Sequence, residues 1–271
     1  MSCAEGYSPG VRSPWSFTDT LVPVVATSIH AGHDLRPAVA SRTALDDATR
    51  LREEDPFTDH LTSVGGSTVV AHRSRFEVDL NRARDAAVYR TPDDAWQLEL
   101  WREPLPAAEI ERSRDLYDDF YVELGRRLDT LADRGPFVVL DLHSYNHRRE
   151  GADQAPAPDA TNPEVNVGTG ALDRARWSPV VDRFLETLAD QEVRGSRLDV
   201  RENVRFRGGE LSRWVDRRYE ETGCALAIEF KKVFMDEWTG EPDENHLEEL
   251  RGALAAVVPA LLERLRCPAP T

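Results

Sequence analysis

Three stretches of the chain are apolar at nearly every position, and each breaks off into residues that can do chemistry. "LVPVVAT" (21–27) runs straight into "SIHAGHD". "GPFVVLDLHS" (135–144) opens with Gly-Pro and closes on Asp141, His143 and Ser144, and "GCALAIEF" (223–230) carries Glu229 one residue before its end. Continuous apolar runs of this length, bounded by turn residues, predict strands buried on both faces. Weaker strand candidates are "GGSTVVAH" (65–72), "SRFEVDL" (74–80) and "SRLDVREN" (196–203). Between them the period changes. From Ala107 to Arg134, apolar residues fall at Ile110, Tyr117, Phe120, Leu124, Leu128 and Leu131, the spacing of one helix face, and Gly135 ends it. "SPVVDRFLETLAD" (178–190) starts with a Ser-Pro pair suited to a helix cap and first turn, and Val181, Phe184 and Leu188 share a face. The tail from Glu244 to Leu265 repeats the pattern with Leu247, Leu250, Leu254, Val258, Leu261 and Leu265. Buried strands alternating with amphipathic helices predict an α/β sheet covered by helices on both faces. No linker divides the chain, so the expectation is a single domain over 1–271 with its core from about 22 to 266. "GADQAPAPDATNPE" (151–164), rich in Pro, Ala and Asp, predicts a mobile loop directly after one of the strands that end in chemistry.

Composition narrows the functional classes. A net charge of −15 disfavours nucleic acid, whose phosphates would be repelled. No apolar run approaches the ~20 residues of a membrane span. The first twenty residues lack the basic start and apolar stretch of a secretory signal, so a cytoplasmic protein is expected. Three cysteines, Cys3, Cys224 and Cys267, are too scattered for a disulfide framework or a cysteine-based zinc site. Of 34 basic residues all but Lys231 and Lys232 are arginine. A GC-rich genome would produce that bias, and the acidic balance would also suit a high-salt environment.

The chemistry sits at strand ends. His30 and His33 follow the first run, Asp141 and His143 lie in the second, and Glu229 ends the third. Ligands of open α/β sheets bind at the carboxyl ends of strands, so these residues are expected to meet. Neutral imidazole and carboxylate are standard donors to zinc. The pattern therefore predicts a mononuclear metal site, with Asp141 orienting backbone or His143 rather than binding metal. His147, in "NHRRE", is expected to be an exposed or substrate-side residue, and His60, His72 and His246 structural or exposed.

The order "SIHAGH", "EEDPFTD", "SRFEVDLNR", "DLHSY", "NVGTG", "ENVRFRGGELSR", "AIEFKKVFMDE" resembles the N-formylglutamate amidohydrolase family. The resemblance runs from about Val22 to the end of the C-terminal helix, and "DLNR" followed by "DLHS" are its most specific pieces. It implies a zinc hydrolase with a carboxypeptidase-like (phosphorylase/hydrolase-like) α/β fold and a mixed central sheet. It also implies metal ligands at His30, Asp55 and His143. The chain departs from the family's usual His-Ser-Gly by carrying His30-Ala31-Gly32-His33. More distant carboxypeptidase-like enzymes place a ligand three residues after the first histidine, where His33 stands. Resemblance thus points to Asp55 as third ligand and spacing to His33.

Catalysis of this kind needs a proton shuttle and partners for anionic groups. Glu229 ends a hydrophobic strand, where desolvation would raise its pKa, and the resemblance gives its motif the same role. The competing reading is a salt bridge to an arginine or to Lys231. The carboxylates of an acyl-amino-acid substrate suit arginine forks. "HRSRFEVDLNR" supplies Arg73, Arg75, Asn81 and Arg82, while "RFRGGELSR" supplies Arg205, Arg207 and Arg213 around a Gly-Gly turn that would let backbone approach a ligand. Of these, Asn81, Arg82 and Arg213 are the expected substrate-binding residues. The function implied is hydrolysis of a small N-acyl amino acid, N-formyl-L-glutamate first. Other readings are a related hydrolase of another acyl group or small peptide, or a metal-binding protein without turnover.

Overall fold

The three apolar runs become neighbouring strands at the centre of one sheet. The computed structural model describes residues 13–266. Its strands are β1 (Trp15–Thr18), β2 (Val24–Ser28), β3 (Ser67–Ala71), β4 (Phe137–Tyr145), β5 (Val165–Gly168), β6 (Glu192–Val193), β7 (Ser196–Arg197), β8 (Val200–Glu202) and β9 (Gly223–Lys231). Seven of them form a mixed sheet in the order β1-β3-β2-β4-β9-β5-β8, and β6 and β7 make a small separate hairpin. The central trio β2, β4 and β9 is parallel, with Thr27 opposite Asp141 and His143 opposite Glu229. Antiparallel pairs are β1 with β3 and β5 with β9. The helices are α1 (Pro37–Ala40), α2 (Asp47–Glu53), α3 (Thr58–Leu61), α4 (Ala107–Ala132), α5 (Ser178–Ala189), α6 (Glu210–Tyr219) and α7 (Glu244–Arg266).

Side chains alternate across the sheet with the strand period of two. On β4, Val138, Leu140 and Leu142 join a core with Val181, Phe184 and Leu188 of α5 and Leu247, Leu250 and Leu254 of α7. Phe137 and Val139 point the other way, into a core with Phe120, Leu124 and Leu128 of α4 and Leu211 and Val215 of α6. Full burial of each such side chain stabilises the fold by roughly 1.5–3 kcal/mol. The second series continues along β4 to Asp141 and His143, and along β9 from Ala225 to Glu229. Chemistry therefore begins where the α4/α6 core stops, on one face and at one end.

Several expectations change form. "SRFEVDL" is not a strand. It turns back on itself, with the amides of Glu77 and Val78 donating to the Ser74 carbonyl. Its apolar residues do alternate, but Glu77 and Asp79 between them are also buried, and both are paired with arginines. Alternation here marks a doubly buried turn, not a half-buried strand. "SRLDVREN" is split between β7 and β8. The stretch 151–164 carries no strand and only one 3-10 turn, as expected of a loop, and it is tethered. The Asp159 carboxylate accepts from Lys231 Nζ at 2.9 Å, and the Ala160 carbonyl accepts from Arg201. Of the cysteines, Cys224 is buried and unpaired, while Cys3 and Cys267 lie outside the described residues. No helix among the described residues is long and apolar enough to cross a membrane.

Candidate active site

Three chain segments converge on one carboxylate oxygen. His30 lies two residues past the end of β2, His143 is on β4, and Asp55 follows α2. His30 Nδ1 is 3.3 Å from Asp55 Oδ2, and His143 Nδ1 is 2.9 Å from the same oxygen. All three residues are buried, and their donor atoms lie within 4.8 Å of one another. A backbone bond sews the segments together, the Asp55 amide donating to the His30 carbonyl at 3.0 Å.

The far side of each imidazole is occupied by a further carboxylate. His30 Nε2 meets Asp79 Oδ1 at 2.8 Å, and His143 Nε2 lies 3.1 Å from Asp141 Oδ2. Asp141 is itself held by the Thr27 hydroxyl at 2.9 Å. A carboxylate on Nε2 fixes the tautomer that leaves the Nδ1 lone pair free. Both free lone pairs thus face Asp55, which is the arrangement a cation requires. Burial would push the Asp55 carboxyl up, but hydrogen bonds from His143 and His30 outweigh it and hold the group well below its usual range. Burial would likewise discharge the His143 ring, yet the Asp141 and Asp55 carboxylates keep its pKa well above the ordinary value. The negative charge gathered here is what a metal ion would neutralise in place of protons. The His30–Asp55–His143 group is therefore compatible with a metal ion.

Glu229 faces the same cleft from β9, between His143 on one flank and Asn166 of β5 on the other. Burial is the main reason its pKa is pushed up to about 7. The His143 ring opposes that rise, while Asp55 and Asp141 add to it. The alternative of a salt bridge to Lys231 is not seen, because Lys231 pairs with Asp159.

The cleft has a volume of about 340 Å³, and its walls include Arg75, Trp96, Tyr145, Arg149, Arg205 and Lys232. Among the expected substrate-binding residues, Asn81 is there, its Nδ2 3.3 Å from His143 Nε2. Gly209 explains how Asn81 fits: a Cβ on that glycine would come within 2.2 Å of Asn81 Oδ1. The Gly-Gly turn thus makes room for Asn81 as well as lining the cleft. Arg82 turns aside, lying 4.4 Å over the Tyr89 ring and donating to the Asp94 carbonyl. Arg213 is half-exposed on α6, where it pairs with Glu210. Neither borders the cleft. His33 also stands apart from the metal group: its Nδ1 is 2.5 Å from Glu54 Oε2 and its Nε2 2.9 Å from Arg50. His147 is largely buried against Glu237 at 2.5 Å, not exposed as expected. Sequence reasoning missed Asp79, although "DLNR" contains it. It also missed Asn166 in "NVGTG", whose side chain holds the Arg205 amide and the Phe206 carbonyl at 2.8 Å each.

The family model described as N-formylglutamate amidohydrolase matches residues 22–235. An N-formylglutamate deformylase of Pseudomonas aeruginosa is 28% identical over 92% of this chain and 95% of its own length. A deformylase of the same name from Pseudomonas putida is 28% identical over 73% of this chain and 76% of its own. Among solved structures, an N-formylglutamate amidohydrolase from Ralstonia eutropha superposes with a TM-score of 0.74 at 21% identity, covering 93% of this chain and 98% of that one.

Proposed function

The chain belongs to the N-formylglutamate amidohydrolase family, and we propose from this that it is a zinc-dependent hydrolase of the amide bond in N-formyl-L-glutamate or a closely related N-acyl amino acid. The observation that carries the reading is the convergence of two Nδ1 lone pairs on the Asp55 carboxylate beside a protonatable Glu229. His30, Asp55 and His143 would hold the ion, which fits the nitrogen and oxygen donors of catalytic zinc sites. Zinc in such a site supplies a Lewis acid and acidifies water near neutral pH.

Glu229 is the proton shuttle. A carboxyl group with a pKa near neutrality can accept a proton from the attacking water at one oxygen and return it to the leaving nitrogen. A bound cation would pull that pKa down again, which favours the ionised form needed for the first transfer. Asn81, its Oδ1 held by the Leu211 amide, offers its Nδ2 to the polarised carbonyl. The free carboxylates of the substrate are met by Arg205 and Arg207, which line the cleft and form no ion pair among the described residues. Arg75 and Arg149 are already committed to Asp79 and Glu53.

Elemental analysis of purified protein should give about one zinc per chain, as expected of a mononuclear catalytic site. A panel of N-acyl amino acids should rank N-formyl-L-glutamate first. His143→Ala should lose metal and turnover together. Undiminished activity after exhaustive chelation would overturn the metal-dependent reading.

A further inference from the structure

The only two lysines of an arginine-rich chain stand side by side, Lys231 and Lys232, at the end of β9. Lys232 is 1% exposed, and its Nζ donates to the carbonyls of Arg52 and Glu54 at 2.6 Å each. No carboxylate of the described residues lies within ion-pair distance of it. A buried ammonium is costly unless it is hydrogen-bonded, and burial pulls this group's pKa down. A methionine or leucine would fill the same space without that cost, so packing alone does not account for the charge.

The two carbonyls explain the choice of residue. They belong to alternate residues of one strap, which leaves α2 at Glu53 and reaches Asp55. A compact ammonium with three tetrahedrally arranged donors can serve two oxygens in such a notch, whereas a guanidinium presents a flat fork. The strap needs holding. Only Pro56 and Phe57 separate Asp55 from α3, and Phe57 has φ +68°, a conformation that costs a large residue energy. Other bonds on the strap are the Asp55 amide to the His30 carbonyl and the Thr58 hydroxyl to the Asp55 carbonyl at 2.7 Å.

We infer that Lys232 is a positioning residue for Asp55: by clamping the Arg52 and Glu54 carbonyls it fixes the carboxylate at the distance the two histidines require. This rests on the reading of Asp55 as a metal ligand. Lys231 does a different task, tying the 151–164 loop through Asp159, and serves as the neighbouring control.

Zinc affinity, measured by competition with a chromogenic chelator, tests the inference alongside hydrogen exchange of the metal-free proteins. Asp55→Asn should weaken zinc by more than ~100-fold, beyond the range of outer-sphere changes, and Lys232→Met by ~10–100-fold, within it. Lys231→Met should bind zinc as the wild type does. Exchange in Lys232→Met should quicken over residues 52–57 and stay unchanged in β4 and β9. Wild-type affinity in Lys232→Met, or quickened exchange throughout the sheet, would overturn the positioning role. If the wild type binds no zinc, or Asp55→Asn binds it normally, the metal reading fails and the inference falls with it, a distinguishable result. Should Lys232→Met not fold, Lys232→Gln keeps an amide NH2 that can donate to the carbonyls without the charge, and it is read by the same criteria.

Discussion

Two of the hollows among the described residues are similar in size and opposite in character. An apolar groove of about 420 Å³ runs between the β1/β3 edge of the sheet and α4, lined by Phe17, Leu21, Val25, Leu124 and Leu128. The polar cleft, about 340 Å³, opens at the carboxyl ends of β4 and β9. The groove is the roomier, yet the charged residues on its lining pair among themselves, Arg126 and Arg127 with Glu123 and Asp19. The cleft is lined by two imidazoles, His30 and His143, by the carboxylates of Glu53, Asp55 and Glu229, and by several cations, with Asp79 and Asp141 buried behind the imidazoles. Those groups are expensive to bury, and the fold retains them through paired hydrogen bonds. The difference teaches that the chemistry of a hollow follows from which titratable groups converge on one point, not from its volume.

Glu229→Gln should sharpen that contrast most. The amide occupies nearly the same space and can hydrogen-bond water, but it cannot take a proton. General acid–base groups contribute ~10²–10⁴-fold, so kcat should fall by that range with KM little changed and zinc content intact. A mutant with normal kcat on its best substrate would reduce Glu229 to a structural residue. The matching change in the groove is Leu124→Ala, at a fully buried position of α4. It should cost ~2–5 kcal/mol of stability, read from denaturant midpoints, while leaving zinc binding and kcat as they were. Loss of turnover in folded Leu124→Ala protein would mean that the two regions are coupled.

Legibility differed between the regions in the same way. The apolar runs of β2, β4 and β9 were readable because both faces of each strand are buried, so composition alone marks them. Their chemical ends were readable too, since His30, His143 and Glu229 are the polar residues that interrupt those runs. Asp55 needed the family resemblance: "REEDPFTD" looks like a solvated acidic stretch, and only the three-dimensional strap buries it. Asp79 was hidden by its turn, where alternation mimics a strand. In helix α6, Leu211, Val215 and Tyr219 recur every four residues, but the Gly-Gly turn and the arginines around it mask that period. Pairing partners were the least legible. Nothing in the sequence tells that Arg82 lies over Tyr89 while Arg205 lines the cleft, since an arginine's side chain can reach many neighbours from one backbone position.

That last point gives the smallest effect and the finest test. Arg205 stacks 5.2 Å over the Tyr145 ring and 5.3 Å from that of Phe206, so its guanidinium is held at the cleft wall with its charge uncommitted. Arg213, in an equally conspicuous motif position, spends its charge on Glu210 at 3.2 Å with 48% of its side chain exposed. A hydrogen bond to a charged group contributes ~1.5–3 kcal/mol, whereas an exposed ion pair contributes ~0–1 kcal/mol. Arg205→Gln should therefore raise KM for N-formyl-L-glutamate by ~10–100-fold with kcat nearly kept, the conversion being tenfold per 1.4 kcal/mol. Arg213→Gln should leave both constants within about twofold, because the group it loses touches solvent and Glu210 rather than ligand. The two variants separate proximity in the fold from prominence in the sequence. Equal KM shifts from both would show that substrate reaches beyond the cleft to the α6 face.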